Sequence, residues 1–416
     1  MSDDGVVVVG GGPAGLACAI ALRRRGVGDV VVLDREPRAG GIPRHCAHQG
    51  FGLRDLRRPL SGPRYARRYV ELARRAGAVV REETMVTGWS ADGSLDVTSP
   101  AGREPLRPRA LVLATGCRER PRSARLVPGS RPEGVMTTGQ LQQLVELGLP
   151  VGRRAVVVGA EHVSFSALLT LGHAGTRVAG MATDLPHHQS VALAPAAAAL
   201  RYRAPVWTRT AVAAIHGRAR VEAVELVDLD SGAAREVECD TVVFTGDWIP
   251  DHELAVTGQV PLDPGTRGPR VDTALRTARP GVFAAGNLLH GAEPADVAAL
   301  DGRHAAESLA GWLASDGDWP AAPVPIVCQA PLGWIAPNAV GASAEPPPRG
   351  RFALRSTEFL RGVELEARQG GRVLWRGRLR RIVPGRSVGL PGGWIASVDR
   401  AGDEVVVRVA EPGRRG

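Results

Sequence analysis

The sequence predicts an α/β protein with two Rossmann-like βαβ units and a β-rich C-terminal tail. Each unit opens with a run of valines, four from Val6 and three from Val156. Unbroken β-branched runs are typical of strands that are buried on both faces of a parallel sheet. The tail follows a proline-rich segment at residues 319–325 and contains short apolar runs separated by turn residues, which indicates strands.

The first unit carries a glycine pattern between its strand and its helix. Gly10 permits a tight turn, Gly12 lets a pyrophosphate approach the backbone, and Gly15 lets the helix pack closely against the strand. The free N–H groups and the positive end of that helix attract phosphates. The next strand ends on Asp34, which is placed to accept a hydrogen bond from a ribose 2′-OH. Together these features predict a dinucleotide-binding domain.

The composition narrows the classes of function. At 416 residues the chain is long enough for two or three domains. It carries a net charge of +9 without any lysine, so Schiff-base chemistry on a lysine and a catalytic lysine base are excluded. The arginines are scattered and no aromatic residues are interleaved among them, so we expect no nucleic-acid partner. An anionic cofactor or substrate is a simpler use for some of this charge.

Cysteine spacing and the N-terminal segment bear on metals and compartment. The five cysteines are widely spaced and include no CxxC pair, which argues against a disulfide framework and against a zinc or iron–sulfur site. We therefore expect no metal. The chain starts on an acidic segment that runs into a core strand, and no apolar run reaches the roughly 18 residues that span a bilayer. We expect a cytoplasmic protein without a membrane span.

Periodicity predicts further elements along the chain. An amphipathic helix is expected from Pro63 to Gly77 and a long helix from Asp296 to Leu313. Arginine, proline and glycine from Pro121 to Gly134 indicate a linker. Residues 369–372 are predicted to form a hairpin turn. The tail strands are predicted at residues 352–356, 363–368, 373–379, 393–398 and 404–409.

The order of the motifs resembles that of a known group of flavoproteins. A first βαβ unit is followed by a strand ending in Ala114-Thr115-Gly116, a second βαβ unit, a strand ending in Thr245-Gly246, and VFAAGN at residues 282–287. Over about three-quarters of the chain this order resembles the pyridine nucleotide–disulfide oxidoreductase superfamily, which has the glutathione-reductase-like fold. Residues 40–52 are also similar to flavoproteins that bacteria encode beside glycerol-3-phosphate dehydrogenases. More distantly, the chain is similar to FAD subunits of opine and amine dehydrogenases.

The resemblance implies that the second dinucleotide-binding domain is inserted in the first. Residues 1–120 and 245–318 would form a discontinuous FAD-binding domain. Residues 121–244 would form an NAD(P)-binding-like domain, and residues 319–416 a small C-terminal β-rich domain. The implied cofactors are FAD and, at the inserted domain, NAD(P)H.

The resemblance also implies which residues hold these cofactors. The glycine pattern would hold the FAD pyrophosphate, Asp34 the adenosine ribose, and Val86 would lie beside the adenine. Asn287 stands where the family has an aspartate that contacts the ribityl chain, and an amide can keep that hydrogen bond. The helix that contains Val297 would direct its positive end at the flavin pyrimidine. The implied FAD residues are Gly10, Gly12, Pro13, Ala14, Gly15, Asp34, Arg35, Gly41, Val86, Ala114, Thr115, Gly116, Gly286, Asn287 and Val297, and those of the inserted domain are Gly159 and Gly246.

Two departures from the family pattern affect the expected chemistry. No second cysteine stands near Cys46, so the redox disulfide of the family is missing. The second glycine pattern is replaced by residues 159–164, GAEHVS, in which Glu161 brings bulk and negative charge to the place of the middle glycine. Either NAD(P)H binds there in an altered way, or the inserted domain has lost this cofactor.

Cys46 and His48 are the candidate catalytic residues. Cys46 could be a thiol beside the flavin whose pKa is lowered by neighbouring arginine or histidine, or a small apolar residue that only packs. His48 could act as a general base on a substrate C–H or N–H, or form a structural hydrogen bond. His290 follows the VFAAGN motif closely and is a further candidate.

These features predict an FAD-dependent oxidoreductase that transfers hydride between NAD(P)H and flavin and delivers the electrons to an acceptor other than a disulfide of this chain. One alternative is an FAD-bearing subunit of an amino-acid, amine or hydroxy-acid dehydrogenase, which works with a partner dehydrogenase subunit and has a vestigial NAD site. Another is a non-catalytic FAD-binding regulatory subunit. A small-molecule substrate and self-association into a homo-oligomer are further expectations.

Overall fold

The computed structural model describes residues 5–190, 200–291, 293–315, 319–320, 323–343 and 345–410. It divides the chain into two compact units. The first unit comprises residues 1–44, 49–117 and 250–416, and the second comprises residues 45–48 and 118–249. Each unit is described by itself below.

Helices alternate with strands in the parts of the chain that build the two parallel sheets, and runs of consecutive strands lie between those parts and in the tail. The helices are α1 (Pro13–Arg24), α2 (Gly62–Arg75), α3 (Thr138–Glu146), α4 (His162–His173), α5 (Glu253–Thr257) and α6 (Ala295–Ala314). The strands before the tail are β1 (Val6–Val9), β2 (Val30–Leu33), β3 (Gln49–Phe51), β4 (Leu60–Ser61), β5 (Val79–Arg81), β6 (Met85–Trp89), β7 (Leu95–Ser99), β8 (Gly102–Leu106), β9 (Ala110–Leu113), β10 (Cys117–Glu119), β11 (Val135–Thr137), β12 (Arg154–Val158), β13 (Arg177–Ala182), β14 (Val206–Trp207), β15 (Thr210–Gly217), β16 (Val221–Asp228), β17 (Ala234–Glu238), β18 (Thr241–Phe244), β19 (Trp248–Pro250) and β20 (Val282–Ala284). The tail strands are β21 (Val324–Cys328), β22 (Leu332–Ala336), β23 (Ala339–Val340), β24 (Arg351–Ser356), β25 (Leu360–Gln369), β26 (Arg372–Ile382), β27 (Val388–Pro391) and β28 (Val405–Val409).

A parallel sheet in the order β20-β9-β1-β2-β5 forms the centre of the first unit. Strand β1 pairs with β2 on one side and with β9 on the other, and its four valines are all buried. The predicted α/β fold is therefore confirmed for this unit, because a strand with neighbours on both sides and cover on both faces favours an unbroken β-branched run.

The second unit repeats the arrangement on a parallel sheet in the order β11-β18-β12-β13-β14, with an antiparallel sheet β15-β16-β17 beside it. The prediction of a linker from Pro121 to Gly134 is wrong, because this segment packs within the second unit. The buried Arg122 side chain donates hydrogen bonds to three carbonyl groups of the segment, those of Val127, Pro128 and Ser130. Proline and glycine break helices and strands, but they do not prevent a chain from being ordered by a buried side chain.

The tail builds two sheets, in the orders β23-β21-β28-β25-β26 and β22-β24-β27. The hairpin turn predicted at residues 369–372 is confirmed, since Gln369 pairs with Arg372 across Gly370-Gly371. The strand predicted at 393–398 is wrong, because Gly393–Ser397 is a short 3-10 helix. Neighbours on a strand point to opposite faces, whereas Trp394 and Ile395 are both buried in the core of the tail, which a helical turn allows.

Strand β26 lies at the outer edge of its sheet and pairs with β25. Its outward side chains include three exposed arginines that share one face of the strand: Arg376, Arg378 and Arg380. In the described part of the chain, no helix is both long enough and apolar enough to cross a bilayer.

Candidate cofactor-binding site

Two glycines at the junction of β1 and α1 occupy positions that no other residue could fill. Gly10 has a φ of +108°, and a Cβ placed on it would lie 2.3 Å from the carbonyl oxygen of Ala114. A Cβ on Gly15 would lie 2.0 Å from the carbonyl oxygen of Gly10. Both collisions are with backbone, which cannot rotate away, so the close approach of helix and strand requires glycine at both positions.

The side of this turn at the N-terminus of α1 exposes backbone, and open space lies in front of it. Gly12 is the N-cap of α1 and, among the described residues, no side chain caps the first turn of that helix. The nearest heavy atom to a Cβ on Gly12 would be Cα of Gly41 at 3.9 Å, and Gly41 itself has a φ of +64°. Two glycine backbones thus border an uncapped helix N-terminus, the arrangement that binds a pyrophosphate. The residues present fit the FAD pyrophosphate.

Asp34 at the end of β2 lies beside the same turn. Its carboxylate accepts hydrogen bonds from the backbone N–H of Gly11 at 2.8 Å and from that of Glu36 at 2.9 Å. Burial raises the pKa of Asp34, and these two N–H groups oppose the rise. A carboxylate has further lone pairs for a ribose hydroxyl, so the adenosine role remains a prediction that fits the geometry. The neighbouring Arg35 guanidinium lies 3.7 Å from the Asp251 carboxylate.

The segment that follows β9, from Ala114 to Gly116, continues the surface beside the glycine turn. The N–H of Ala114 donates to the carbonyl of Val9, and the Thr115 hydroxyl donates to the carbonyl of Asp251 at 2.7 Å. Gly116 has a φ of +82°, with open space where a Cβ would be. Val86 lies on β6 and is half-buried. The assignment of all four positions to FAD remains a prediction.

The segment after β20 crosses the first turn of α1. Gly286 has a φ of +72°, and a Cβ on it would lie 2.6 Å from Cβ of Ala14. The side-chain amide of Asn287 forms two hydrogen bonds with the backbone of Glu293, its Nδ2 donating to the carbonyl at 3.1 Å and its Oδ1 accepting from the N–H at 2.9 Å. Val297 lies buried in the first turn of α6. The ribityl contact of Asn287 stays a prediction.

Two contributors to this region escaped the sequence analysis. Gly302, in the interior of α6, lets that helix meet α1, since a Cβ there would lie 2.0 Å from the carbonyl oxygen of Ala14. A glycine inside a helical pattern is a signal of close approach that could have identified it. Glu293 holds the Asn287 amide, and no local pattern marks it.

The corresponding turn of the second unit is filled by its own side chain. Glu161 is the N-cap of α4, and its carboxylate accepts hydrogen bonds from the first-turn backbone and from the N–H of Ala160 at 3.1 Å. A Cβ on Gly246 would lie 2.5 Å from Oε1 of Glu161, and one on Gly159 would lie 2.9 Å from Oε2. The carboxylate therefore occupies the helix N-terminus at which a pyrophosphate would bind.

The candidate catalytic residues Cys46 and His48 belong to the second unit. The Cys46 thiol donates to Oε1 of Gln142 at 3.3 Å. Burial, reinforced by the negative charge of Glu119 and Glu146, raises its pKa to about 12. The thiol is therefore protonated at neutral pH, which is the opposite of what a redox-active cysteine requires. His48 is half-buried. The catalytic role of either residue stays a prediction.

The raised pKa of Cys46 predicts slow alkylation. We expect iodoacetamide to modify Cys46 only slowly at pH 7.5, with a rate that rises about tenfold per pH unit up to pH 11 because the thiolate is the nucleophile. The half-buried Cys117 is the internal comparison. Peptide mass spectrometry after timed quenching measures both. Alkylation of Cys46 at pH 7.5 as fast as that of a free thiol would contradict the expectation.

Among the described residues, no group of three or more His, Cys, Asp or Glu side chains is arranged to hold a metal ion. The expectation that the protein needs no metal stays a prediction.

The two parallel sheets and the glycine-lined cradle define a flavoprotein of the two-dinucleotide-domain type, with the second domain inserted in the first. The chain is an FAD-dependent oxidoreductase. It belongs to the pyridine nucleotide-disulphide oxidoreductase family, whose model matches residues 4–302. The resemblance inferred from the order of motifs is thereby confirmed, as is the prediction of an enzyme. Members of the family bind FAD and NAD(P)H.

The relatives include both a thioredoxin reductase and a subunit of a multi-subunit enzyme. Thioredoxin reductase of Treponema pallidum is 27% identical over 301 residues, which cover 69% of this chain and 89% of the relative. Hydrogen cyanide synthase subunit HcnB of Pseudomonas aeruginosa is 32% identical over 182 residues, but these cover 42% of this chain and 37% of that subunit. Among solved structures, thioredoxin reductase of T. acidophilum has a TM-score of 0.62 at 23% identity, covering 75% of this chain and 98% of its own, which shows the shared fold.

Proposed function

We propose that this protein is the FAD-bearing component of a dehydrogenase that oxidises an amino acid, amine or hydroxy acid and passes the electrons to a partner subunit. Bound FAD would supply the two-electron redox chemistry. The chain's own residues would hold the pyrophosphate at Gly12 and Gly41, orient the adenosine ribose at Asp34, and keep α1 close to the sheet through Gly15.

The observation that carries this proposal is the position of the Glu161 carboxylate. It caps α4 and lies against Gly159 and Gly246, the two glycines expected to border a nicotinamide dinucleotide. A pyrophosphate entering there would meet a fixed negative charge and would have to displace a capping group, and each of these raises the free energy of binding. The electron donor would then be the amino acid, amine or hydroxy acid substrate and not NAD(P)H.

Multi-subunit enzymes among the relatives support a multi-subunit assembly. HcnB is named as a subunit of hydrogen cyanide synthase, although the match covers only part of its length. We extend this to a partner subunit for the present chain. We propose in addition a cytoplasmic location, a small-molecule substrate, no nucleic-acid partner and self-association into a homo-oligomer.

A second candidate function is hydride transfer between NAD(P)H and flavin with no disulfide of this chain as acceptor. The likeness to a thioredoxin reductase over 89% of that relative favours it, since the match extends across both dinucleotide-binding domains. In this case nicotinamide would bind despite Glu161.

Anaerobic reduction separates the two candidates. We expect neither NADH nor NADPH to bleach the flavin of the wild-type protein, while dithionite does. Glu161→Gly should make the flavin reducible by one of the two nucleotides, because it removes both bulk and charge. Glu161→Gln is the matched control, since it keeps the bulk and should remain as slow as wild type.

Each outcome of this experiment decides something. Rapid bleaching of the wild type would overturn the first candidate and support the second. A Glu161→Gly protein that folds and is still not reduced would show that Glu161 is not the obstacle. Bleaching of the wild type by an amino acid or hydroxy acid would support the organic donor. Purified protein that neither carries nor takes up flavin would overturn both candidates together.

A further inference from the structure

We propose that Glu293 is a positioning residue through which the β-rich tail fixes the Asn287 side chain beside the FAD cradle. The inference concerns the first unit alone and rests on FAD binding there. It assigns to the tail a specific task, that of setting the position of one cofactor-facing amide.

The inner half of this connection joins Glu293 to the cradle. Both hydrogen-bonding atoms of the Asn287 amide are taken by the backbone of Glu293, at 3.1 and 2.9 Å. Gly286, which precedes Asn287, lies against Ala14 in the first turn of α1, since a Cβ on Gly286 would lie 2.6 Å from Cβ of Ala14. A shift of the Glu293 backbone therefore moves or releases an amide located next to the pyrophosphate-binding turn.

The outer half joins Glu293 to the tail. Its Oε1 accepts a hydrogen bond from the Ser387 hydroxyl and lies 3.7 Å from Nη2 of Arg355. Arg355 also donates from Nε to the Ser387 hydroxyl oxygen at 3.1 Å, which closes a three-membered network. The Glu293 and Arg355 side chains are only 14% and 13% exposed, so the ion pair is shielded from water and is stronger than a surface pair.

A second contact holds the same loop from the same two strands. The Trp334 ring stacks on the His290 ring with centroids 4.9 Å apart and an angle of 24° between the planes. The Arg355 guanidinium carbon lies 5.2 Å from the centroid of the Trp334 ring. Trp334 on β22 and Arg355 on β24 are direct partners in the antiparallel register. One cross-strand pair of the tail thus contacts this loop at two places, Trp334 at His290 and Arg355 at Glu293.

This arrangement differs from general packing between the tail and the rest of the unit. A residue that merely stabilised the fold would affect FAD binding by an amount that does not depend on Asn287. A positioning residue acts through Asn287, so its effect disappears once the Asn287 amide is removed.

The test is a double-mutant cycle on the dissociation constant of FAD, measured by titrating apoprotein with FAD and following flavin fluorescence. We expect Glu293→Gln to raise the Kd about fivefold, the size of effect that follows from weakening one charge-assisted hydrogen bond. In an Asn287→Ala background the same substitution should change the Kd by less than about twofold. The visible circular dichroism of bound flavin should change in Glu293→Gln and in Asn287→Ala.

The matched control is Glu345→Gln. Glu345 also belongs to the tail and forms an ion pair with Arg276 at 3.2 Å, and among the described residues no hydrogen bond or ion pair joins its side chain to Asn287, His290 or Glu293. We expect its FAD Kd and flavin dichroism to match those of the wild type. If Glu293→Gln fails to fold, Ser387→Ala removes only the hydroxyl of the network and is expected to give the same pattern at smaller size.

Three results would overturn the inference. These are an unchanged Kd and dichroism in both Glu293→Gln and Ser387→Ala, equal changes in Glu345→Gln, or a full effect of Glu293→Gln in the Asn287→Ala background. Failure of FAD binding itself is recognised separately, because the wild-type apoprotein would then give no titration at all.

Discussion

Replacing Gly15 by alanine is expected to abolish FAD binding. The new Cβ would lie 2.0 Å from the carbonyl oxygen of Gly10 and 3.1 Å from a methyl group of Val8, both in the strand and turn that shape the cradle. Helix α1 would have to move away from the sheet, which separates its N-terminus from the place of the pyrophosphate. Overpacking of this kind also costs about 1–3 kcal/mol of stability or more.

The measurement is the ratio of flavin to protein absorbance after purification with added FAD, together with the urea midpoint of unfolding. Gly28→Ala is the control, because nothing lies within 4 Å of a Cβ at that position. We expect this variant to retain full flavin. A Gly15→Ala protein that retained stoichiometric FAD would show that the turn is not the binding site.

The stability of the protein is expected to fall as the pH rises from about 6.5 to 8, and Asp301 is the cause. This residue of α6 is 3% exposed, and burial together with the negative charge of Glu293 raises its pKa to about 7 despite Arg349, whose Nη2 lies 3.6 Å away. The folded state therefore holds a proton that the unfolded chain has released at any pH above about 4. Since the native state binds more protons between about pH 4 and pH 7, the free energy of unfolding decreases with pH over that range by roughly 4 kcal/mol in total. About 1 kcal/mol of this decrease falls above pH 6.5, and the decrease ends once the folded state has also released the proton.

His290, which packs in the same region, acts in the opposite direction at lower pH. Burial lowers its pKa to about 4, so the unfolded chain binds more protons between about pH 4 and 6.5, and stability rises there. The two contributions oppose each other below pH 6.5. The fall that Asp301 causes is expected to dominate above it.

Urea midpoints at pH 5, 6, 7 and 8 measure this balance. Asp301→Asn should remove the decrease above pH 6.5 and leave only the rise due to His290. Asp230→Asn, at an exposed position paired with Arg209, should follow the wild-type profile. If Asp301→Asn kept the wild-type slope above pH 6.5, another group would have to be responsible.

Local sequence predicted the fold where the physical requirement is itself local. Four buried valines and the backbone collisions at Gly10 and Gly15 follow from the geometry of one strand and one turn, so the first βαβ unit was predictable. The tetrapeptide GWIA, which occurs twice, shows that local sequence alone does not determine the local structure. At Gly333 it lies in β22, and at Gly393 it forms a 3-10 helix.

Tertiary contacts determine which structure each copy of GWIA adopts. They also determine the role of Glu293, which the sequence analysis did not identify. Trp334 is half-buried opposite Arg355, whereas Trp394 stacks on Phe352 at 5.1 Å in the core of the tail. In the same way, Glu293 depends on partners 62 and 94 positions further along the chain, Arg355 and Ser387. No pattern within a window of the sequence contains that information.

The arginines of β26 have a consequence for how this protein behaves in concentrated solution. A strand at the rim of a sheet offers unpaired backbone groups to any other extended chain, and such rims promote aggregation. The three guanidinium groups along one face of β26 would bring like charges together if two copies met edge to edge. Lysine commonly serves this purpose, and in a chain without lysine the same protection comes from arginine. Colloidal stability that depends on salt, decreasing as added ions screen these charges, is the behaviour to be expected of such a rim.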